Sequence, residues 1–321
     1  MPRRDLPSSS CTRASIRGAM RCAAMLVAAL ATAAPAAGQD EAPTTTVVSA
    51  TDQKPITIRY YPSQSKGDDA AETPVVMLIH GGGDNDSRLV WEKRKTNTDD
   101  NPPMAELLNN NGFAVVTVDM RGHGESKAAG SRGRKNFNAM LGDLEGVKEF
   151  LMEQHKARRL NINKLAIVAV GEYAPVAARY AEIDWQKPDY DDAISARDRT
   201  PRGRDVRALV LFSPELASGR IRTANSLRFL TDPTREVGVL MFSGTDDPRD
   251  NGDSEDLAKV IQADREPADN KFLERLPTNF HGTDLFGQRR LDTERRMLAF
   301  LKLYLADLDS PWIDRRSKLE R

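Results

Sequence analysis

Residues 75–83 read Val-Val-Met-Leu-Ile-His-Gly-Gly-Gly, an uninterrupted apolar run that ends in one histidine and three glycines. An apolar run without polar alternation is typical of a strand that is buried on both faces of a sheet. A second run of this kind, Phe113–Val118, is followed by Asp-Met-Arg-Gly-His-Gly-Glu-Ser at 119–126. Both runs therefore predict central strands that end in glycine-rich turns.

The same pattern recurs along the chain, and helical segments separate the apolar runs. Three more buried strands are predicted at 165–170, 208–212 and 238–242, and two further strands flank a turn at 51–55. Apolar residues at helical spacing between 141 and 151 predict an amphipathic helix. Other helices are predicted at 104–109, about 173–183, 253–264 and 291–308. This alternation indicates an α/β fold, in which helices cover both faces of a mostly parallel sheet.

The N-terminal segment has the composition of an export signal. Residues 1–21 contain five arginines and one acidic residue, residues 22–34 form a short apolar run, and small residues then lead to a polar chain at residue 39. This order is typical of a secretory signal peptide. The apolar run is shorter than the roughly 20 residues of a membrane span. We therefore predict an exported protein, periplasmic or secreted, that has no stable membrane span after cleavage near Gly38. An uncleaved membrane anchor is the alternative.

The composition excludes several classes of function. The chain has 47 Lys and Arg against 47 Asp and Glu, which is not the basic excess that a nucleic-acid partner requires. Loss of residues 1–38 would remove both cysteines, Cys11 and Cys22, and leave 42 basic and 46 acidic residues, a net charge of −4. A mature chain without cysteine forms no disulfide and no cysteine zinc site. No cofactor motif and no metal motif occurs, so no cofactor is expected.

Candidate functional residues lie in the loops that follow the predicted strands, because ligands of parallel sheets bind beyond the carboxyl ends of the strands. His80 and its three glycines follow the first run, His123 follows the second, and Phe-His-Gly at 280–282 forms the last such loop. The fourth histidine, His155, is predicted to be solvated at a helix end. Asp119, His123 and Asp143 are expected to be structural.

The order of these motifs resembles the α/β-hydrolase fold family, in particular its esterase, lipase and serine-peptidase-like members. His-Gly-Gly-Gly resembles the loop of the oxyanion hole, which implies Gly81, Gly82 and Gly83 as its residues. Gly-Thr-Asp-Asp-Pro at 244–248 resembles the loop of the triad acid, and this likeness implies Asp247. His281, which is followed by a glycine, resembles the triad base.

The export signal and the extent of the resemblance together predict a division of the chain into parts. These are a signal peptide at 1–38, a short linker at 39–45, an α/β-hydrolase-like domain at 46–309 and a C-terminal tail at 310–321. The domain contains a charged insertion at 184–207. Its aspartates at 189, 191 and 192 are expected to form a solvated loop and not a cation site.

The nucleophile motif of that family, Gly-x-Ser-x-Gly, is missing. The corresponding segment, Lys164–Ala181, contains no Ser, Cys or Thr. Alignment of the strand and the following helix places Gly171 at the nucleophile position, where glycine accepts the positive φ of the turn without a Cβ clash. Glu172 would then supply a backbone N–H to the oxyanion hole. Two other registers stay open, in which Tyr173 or Glu172 is the nucleophile.

Three functions are consistent with this pattern. The first is an exported hydrolase-like protein that is catalytically impaired or inactive and binds a small molecule or a partner in the former active-site cleft. The second is an esterase or peptidase-like enzyme that uses Asp247 and His281 with an unconventional nucleophile or an activated water, on an ester or peptide-like substrate. The third is an interaction or structural module of the cell envelope that uses the insertion at 184–207.

Overall fold

The computed structural model describes residues 42–320 except 84, 95–101, 131–134, 236 and 263–269. The predicted signal peptide therefore lies outside the described residues. The strands are β1 (Thr44–Ser49), β2 (Pro55–Tyr61), β3 (Val75–Ile79), β4 (Ala114–Val118), β5 (Leu165–Val170), β6 (Val206–Phe212), β7 (Ala217–Ser218), β8 (Ile221–Arg222), β9 (Gly238–Gly244) and β10 (Lys271–Leu276). The helices are α1 (Asp68–Ala71), α2 (Leu89–Glu92), α3 (Met104–Asn110), α4 (Phe137–Lys156), α5 (Ala174–Gln186), α6 (Thr223–Leu230), α7 (Asp253–Gln262) and α8 (Thr293–Leu301).

Eight of these strands form one sheet in the order β1-β2-β4-β3-β5-β6-β9-β10. The pairs β1–β2 and β2–β4 are antiparallel, and every other pair in this sheet is parallel. The chain leaves β3 for β4 on one side and returns to β5 on the other side. Such a reversal opens a crevice at the carboxyl ends of the two strands, which is where ligands of open α/β sheets bind.

The sheet is covered by helices on both faces, which confirms the predicted fold class. Val75, Met77 and Ile79 of β3 point to the layer that contains α4, α5, α6 and α7. Val76 and Leu78 point to the opposite layer, which contains α2, α3 and α8. Successive side chains of a strand alternate between the two faces. A strand that packs against helices on both faces therefore requires a continuous apolar run.

The segment after α8 packs against the domain, and this contact overturns one prediction. His155 is wholly buried and not solvated. Its Nε2 donates to the carbonyl oxygen of Ile313 at 2.8 Å, and its Nδ1 accepts from the N–H of Ile162 at 3.2 Å. The ring of Trp312 lies 5.1 Å from the imidazole ring. Local sequence around α4 contains no sign that a segment more than 150 residues away covers this helix end.

A buried group of four charged side chains joins this segment to the start of the predicted insertion. Asp184 belongs to the last turn of α5 and pairs with Lys148, whose Nζ also lies 2.5 Å from Asp205. Arg315 pairs with Asp205 from the other side. All four side chains are at least nine-tenths buried. Burial alone would lower the pKa of Lys148, but the carboxylates of Asp205 and Asp184 raise it above its ordinary value.

The three aspartates at 189, 191 and 192 of the insertion have partners within the protein. Asp189 contacts Arg204, and Asp191 lies 2.7 Å from Arg199. Asp192 accepts from the backbone N–H groups of residues 200 and 318 at 3.0 and 2.9 Å. Among the described residues, no group of three or more His, Cys, Asp or Glu side chains is placed to hold a metal ion. Within the same residues, every helix is too short or too polar to cross a membrane.

Candidate active site

Gly171 lies at the crevice and has the backbone geometry of a nucleophile elbow. It directly follows β5 and begins the 3₁₀ turn Gly171–Tyr173, which leads into α5. Its φ is +53°, a conformation that is strained for residues with a Cβ and favourable for glycine. A strand, a tight turn with positive φ and a helix are the parts that the elbow of a hydrolase requires. The side chain that such an elbow presents is absent at this position.

Asp247 and His281 lie next to each other in the loops that follow β9 and β10. His281 Nδ1 donates to Asp247 Oδ2 at 2.6 Å, and Asp247 Oδ1 accepts from the N–H of Arg249 at 3.0 Å. The carboxylate is fully buried, whereas 19% of the imidazole is exposed. Because Nδ1 carries the donated proton, a neutral His281 has its lone pair on Nε2.

The structure brings Gly171 to the free face of this imidazole. A Cβ built on Gly171 would lie 3.9 Å from His281 Nε2. That separation places a β-hydroxyl at this position within reach of the imidazole, which is the relation between nucleophile and base in a catalytic triad. Three of the residues implied by the resemblance are therefore adjacent in space, although they come from three separate loops.

Ser213 supports the loop that carries His281, and no motif in the sequence indicated this residue. Its Oγ accepts from the N–H of Gly282 at 2.8 Å, and its own N–H donates to the carbonyl of Phe242 at 2.8 Å. Its φ of +43° is strained for a residue with a Cβ; such strain costs about 1–3 kcal/mol and persists only where the surroundings enforce it. The only feature of the sequence that could have indicated this role is that Ser213 is a polar residue directly after an apolar strand.

The glycine loop after β3 is lined by the carboxylate of Asp86. The N–H of Gly83 donates to Asp86 Oδ2 at 3.0 Å. A Cβ on Gly81 would lie 2.6 Å from the same oxygen. Of the three loop residues that the resemblance implies for an oxyanion hole, Gly83 thus has its N–H engaged by an acidic side chain of the same loop.

Glu172 brings a second carboxylate to this loop. A Cβ on Gly82 would lie 2.1 Å from Glu172 Oε2, so the acidic side chain occupies space that only a glycine leaves open. Lys135 forms an ion pair with the carboxylate of Glu172 and also donates to the carbonyl oxygen of Gly82. The sequence predicted for Glu172 a backbone N–H in the oxyanion hole or, in another register, the role of nucleophile; it gave no indication of Lys135.

This chain is similar to a known protein family and to solved structures of hydrolases. The profile of the serine aminopeptidase family S33 matches residues 95–169, a stretch that ends before the elbow. An esterase from Pyrococcus furiosus aligns with this chain with a TM-score of 0.56 and 13% sequence identity. The alignment covers 82% of this chain and 91% of the esterase. This chain has the α/β-hydrolase fold.

Other hydrolases of known structure share this fold. A dienelactone hydrolase from Anabaena variabilis aligns with a TM-score of 0.55 and 16% sequence identity. The alignment covers 83% of this chain and all of the dienelactone hydrolase. An acylaminoacyl peptidase from Pyrococcus horikoshii has a TM-score of 0.57 and 12% identity, over 85% of this chain and 43% of the peptidase. A search of curated proteins with the present chain found no match.

Tyr173 does not have the environment of a nucleophile in this hydrolase fold. Its side chain is fully buried, and its hydroxyl donates to His123 Nε2 at 2.7 Å. His123 Nδ1 in turn donates to the carbonyl oxygen of Asp86 at 3.2 Å. Burial raises the pKa of Tyr173 and lowers the pKa of His123. The pair is therefore neutral, and the register that makes Tyr173 the nucleophile conflicts with its burial.

His80 is also a structural residue. Its Nε2 accepts from the N–H of Met120 at 3.1 Å, and its Nδ1 donates to the carbonyl of Gly81 at 2.5 Å. Burial lowers the pKa of His80 to about 3. The imidazole stays neutral and links the ends of β3 and β4.

The two aspartates that were expected to be structural stabilise the turn after β4. Asp119 accepts from the backbone N–H groups of Arg88 and Glu125 at 2.8 and 2.9 Å. Asp143 is fully buried and accepts from Arg121 Nε at 2.9 Å. Both carboxylates are occupied by partners within the fold.

A separate cavity of about 500 Å³ lies at the opposite end of the sheet. Its lining includes Asn163, Trp185 and Arg207, which lie near the amino ends of β5 and β6. It is therefore not part of the crevice that holds Gly171 and His281.

Proposed function

We propose that this chain is an exported α/β-hydrolase-like protein whose hydrolytic activity is impaired or lost, and that it binds a small molecule or a partner in the former active-site cleft. The observation that carries the proposal is Gly171, which occupies an elbow that faces His281 Nε2 but has no hydroxyl. Without a nucleophile the protein forms no acyl intermediate. In a protease of another fold, loss of a triad residue leaves about 10³–10⁴-fold catalysis over water.

The cleft keeps polar groups that a ligand can bind. His281 Nε2 has no hydrogen-bond partner among the described residues. Glu215 is half-buried near the same imidazole; burial, and then the charge of Glu172, raise the pKa of its carboxyl group. A concave site with a few convergent polar groups is typical of small-molecule binding. Ester or peptide-like compounds are the first ligands to test, because the similar structures include an esterase and a peptidase.

Export is supported by the N-terminal sequence. The basic stretch, short apolar run and small residues of 1–38 have the order of a cleaved signal. Both cysteines of the chain, Cys11 and Cys22, lie within this segment. Detection of the mature N-terminus near residue 39 in the exported fraction would support this part of the proposal, and an intact N-terminus there would contradict it.

The protein without residues 1–38 is expected to take up no label from a fluorophosphonate probe. The probe reacts with an activated hydroxyl, and position 171 has none. In-gel fluorescence measures the labelling, with heat-unfolded protein as the control for non-specific reaction. Covalent labelling of any residue, located by peptide mass spectrometry, would overturn the proposed loss of the nucleophile.

A second candidate function is hydrolysis by a water that His281 activates. It is favoured by the orientation of the imidazole, whose Nδ1 is held by Asp247 while Nε2 faces the empty space beside Gly171. A positioned general base contributes about 10²–10⁴-fold to a rate. This candidate requires a bound substrate and a water at the position of the missing hydroxyl.

Hydrolysis of p-nitrophenyl acetate by the wild type and by Asp247→Asn distinguishes the two functions. We expect equal rates, because an inactive protein does not depend on the orientation of its imidazole. The matched control is Asp246→Asn, which changes the neighbouring exposed acid. A rate that falls by about 10²-fold or more in Asp247→Asn alone would contradict the first function and support the second.

A further inference from the structure

We propose that Glu172 occludes the former oxyanion site, so that this cleft has lost hydrolytic competence at two positions and not only at Gly171. The proposal rests on the function proposed above. The carboxylate of Glu172 lies against Gly82 and is held there by Lys135. It occupies the space beside the loop that would bind the negatively charged oxygen of a tetrahedral intermediate.

The side chain of Glu172 blocks the space beside the loop sterically. The side chain of Glu172 approaches Gly82 so closely that a Cβ on Gly82 would lie 3.0 Å from both Cβ and Cδ of Glu172. No bound group can occupy the same space without displacing this side chain. Lys135 opposes displacement, since it contacts both the carboxylate and the carbonyl oxygen of Gly82.

A hydrogen-bond donor of the loop is already engaged. An oxyanion hole requires N–H groups that point at the developing charge. The N–H of Gly83 already donates to Asp86 Oδ2 at 3.0 Å. The peptide that joins Gly82 to Gly83 is thus engaged at both ends, by Lys135 at its oxygen and by Asp86 at its nitrogen.

The charges around the loop also disfavour an oxyanion. Two carboxylates, Asp86 and Glu172, line the glycine loop, and one ammonium group, Lys135, pairs with the second of them. An oxyanion that forms here meets like charges at close range. Like charges repel more strongly in a partly buried site than in bulk water, because the effective dielectric constant is lower. The loop therefore disfavours the charge that a hydrolase loop must stabilise.

These observations predict that a hydroxyl introduced by Gly171→Ser reacts poorly until Glu172 is also changed. In the labelling reaction the introduced oxygen attacks phosphorus and its proton passes to His281 Nε2. The phosphorus–fluorine bond then breaks and fluoride leaves. The phosphoryl oxygen becomes more negative during attack and must be stabilised beside the glycine loop, in the space that the side chain of Glu172 occupies.

The test compares the fluorophosphonate labelling rates of Gly171→Ser, Gly171→Ser/Glu172→Ala and Gly171→Ser/Glu172→Gln. Loss of one oxyanion-hole donor slows acyl transfer by about 10²–10³-fold, so we expect the alanine double variant to react at least about 10²-fold faster than Gly171→Ser. The glutamine variant keeps the length of the side chain without its charge, and we expect an intermediate rate. It also provides a second reading if the alanine variant does not fold.

The outcomes separate this inference from the function on which it rests. Equal labelling rates in Gly171→Ser and both double variants overturn the occlusion, whether those rates are high or undetectable. Labelling of the wild type overturns the proposed loss of activity instead. A rate increase in the double variants, with the label located at position 171, supports both. Circular dichroism and thermal unfolding of each variant establish that the compared proteins are folded.

Discussion

Replacement of Lys148 by methionine is expected to lower the free energy of unfolding by about 3–5 kcal/mol. It removes the buried ammonium group that pairs with Asp184 and leaves Asp205 with Arg315 as its buried counter-charge. Lys148 contacts Asp184 and lies 2.5 Å from Asp205, and all three side chains are nearly inaccessible to solvent. Methionine has a similar volume, so the expected loss arises from uncompensated charge and not from a cavity. Urea unfolding measured by circular dichroism gives the free energies.

Lys259→Met is the matched control for this prediction. It removes the same charge from an ion pair with Asp256 at 2.8 Å, but both side chains are exposed. Exposed pairs of this kind contribute little to stability. If the two variants are destabilised equally, the buried charges are not what stabilises this part of the fold.

The second large effect concerns pH, and it depends on the buried histidines. Burial lowers the pKa of His80 to about 3, and it also lowers the pKa values of His123 and His155. In the unfolded chain a histidine has a pKa of about 6.5. Above that pH neither state binds the proton, and stability does not depend on these groups. As the pH falls below it, the unfolded chain binds protons that the native protein does not, so stability decreases.

A histidine that stays neutral in the native protein while it is protonated in the unfolded chain contributes about 1.4 kcal/mol per pH unit to this slope, and His80 is such a group. Between about pH 6.5 and pH 5, we expect the free energy of unfolding of His80→Gln to change less steeply with pH than that of the wild type. The difference between the two slopes corresponds to about one proton. The slope is the measured quantity, because a constant loss of stability in the variant does not change it. Urea unfolding at several pH values gives the slopes. Identical slopes in the two proteins would show that His80 is protonated in the native state or not titrated in either state.

The fold could be predicted from the sequence where burial dictates composition. The predicted bounds of β3 and β5 agree with the structure, since these strands are covered on both faces and must be apolar throughout. β9 continues to Gly244, two residues beyond its predicted end. Ser243 and Gly244 are held there by pairing with β10, and backbone pairing leaves no apolar pattern in a sequence.

The candidate site could be predicted only in part. Gly171, Asp247 and His281 each follow a strand, and the parallel sheet places the carboxyl ends of its strands at one edge. Their roles stay predictions, but their proximity follows from the topology. Lys135 and Glu172 are 37 residues apart and pair through side chains that extend from different loops. No local spacing or composition indicates such a contact.

The position of Arg315 has a consequence for how the domain is completed during synthesis. Its contact with Asp205 closes a loop of 110 residues, and the contact between Trp312 and His155 spans 157 residues. Contacts between residues so distant in sequence slow folding, because the chain must be ordered over a long stretch before they form. No nascent chain that ends before residue 315 can neutralise Asp205 in this way. A ribosome-bound chain therefore stays short of its final stability until late in translation.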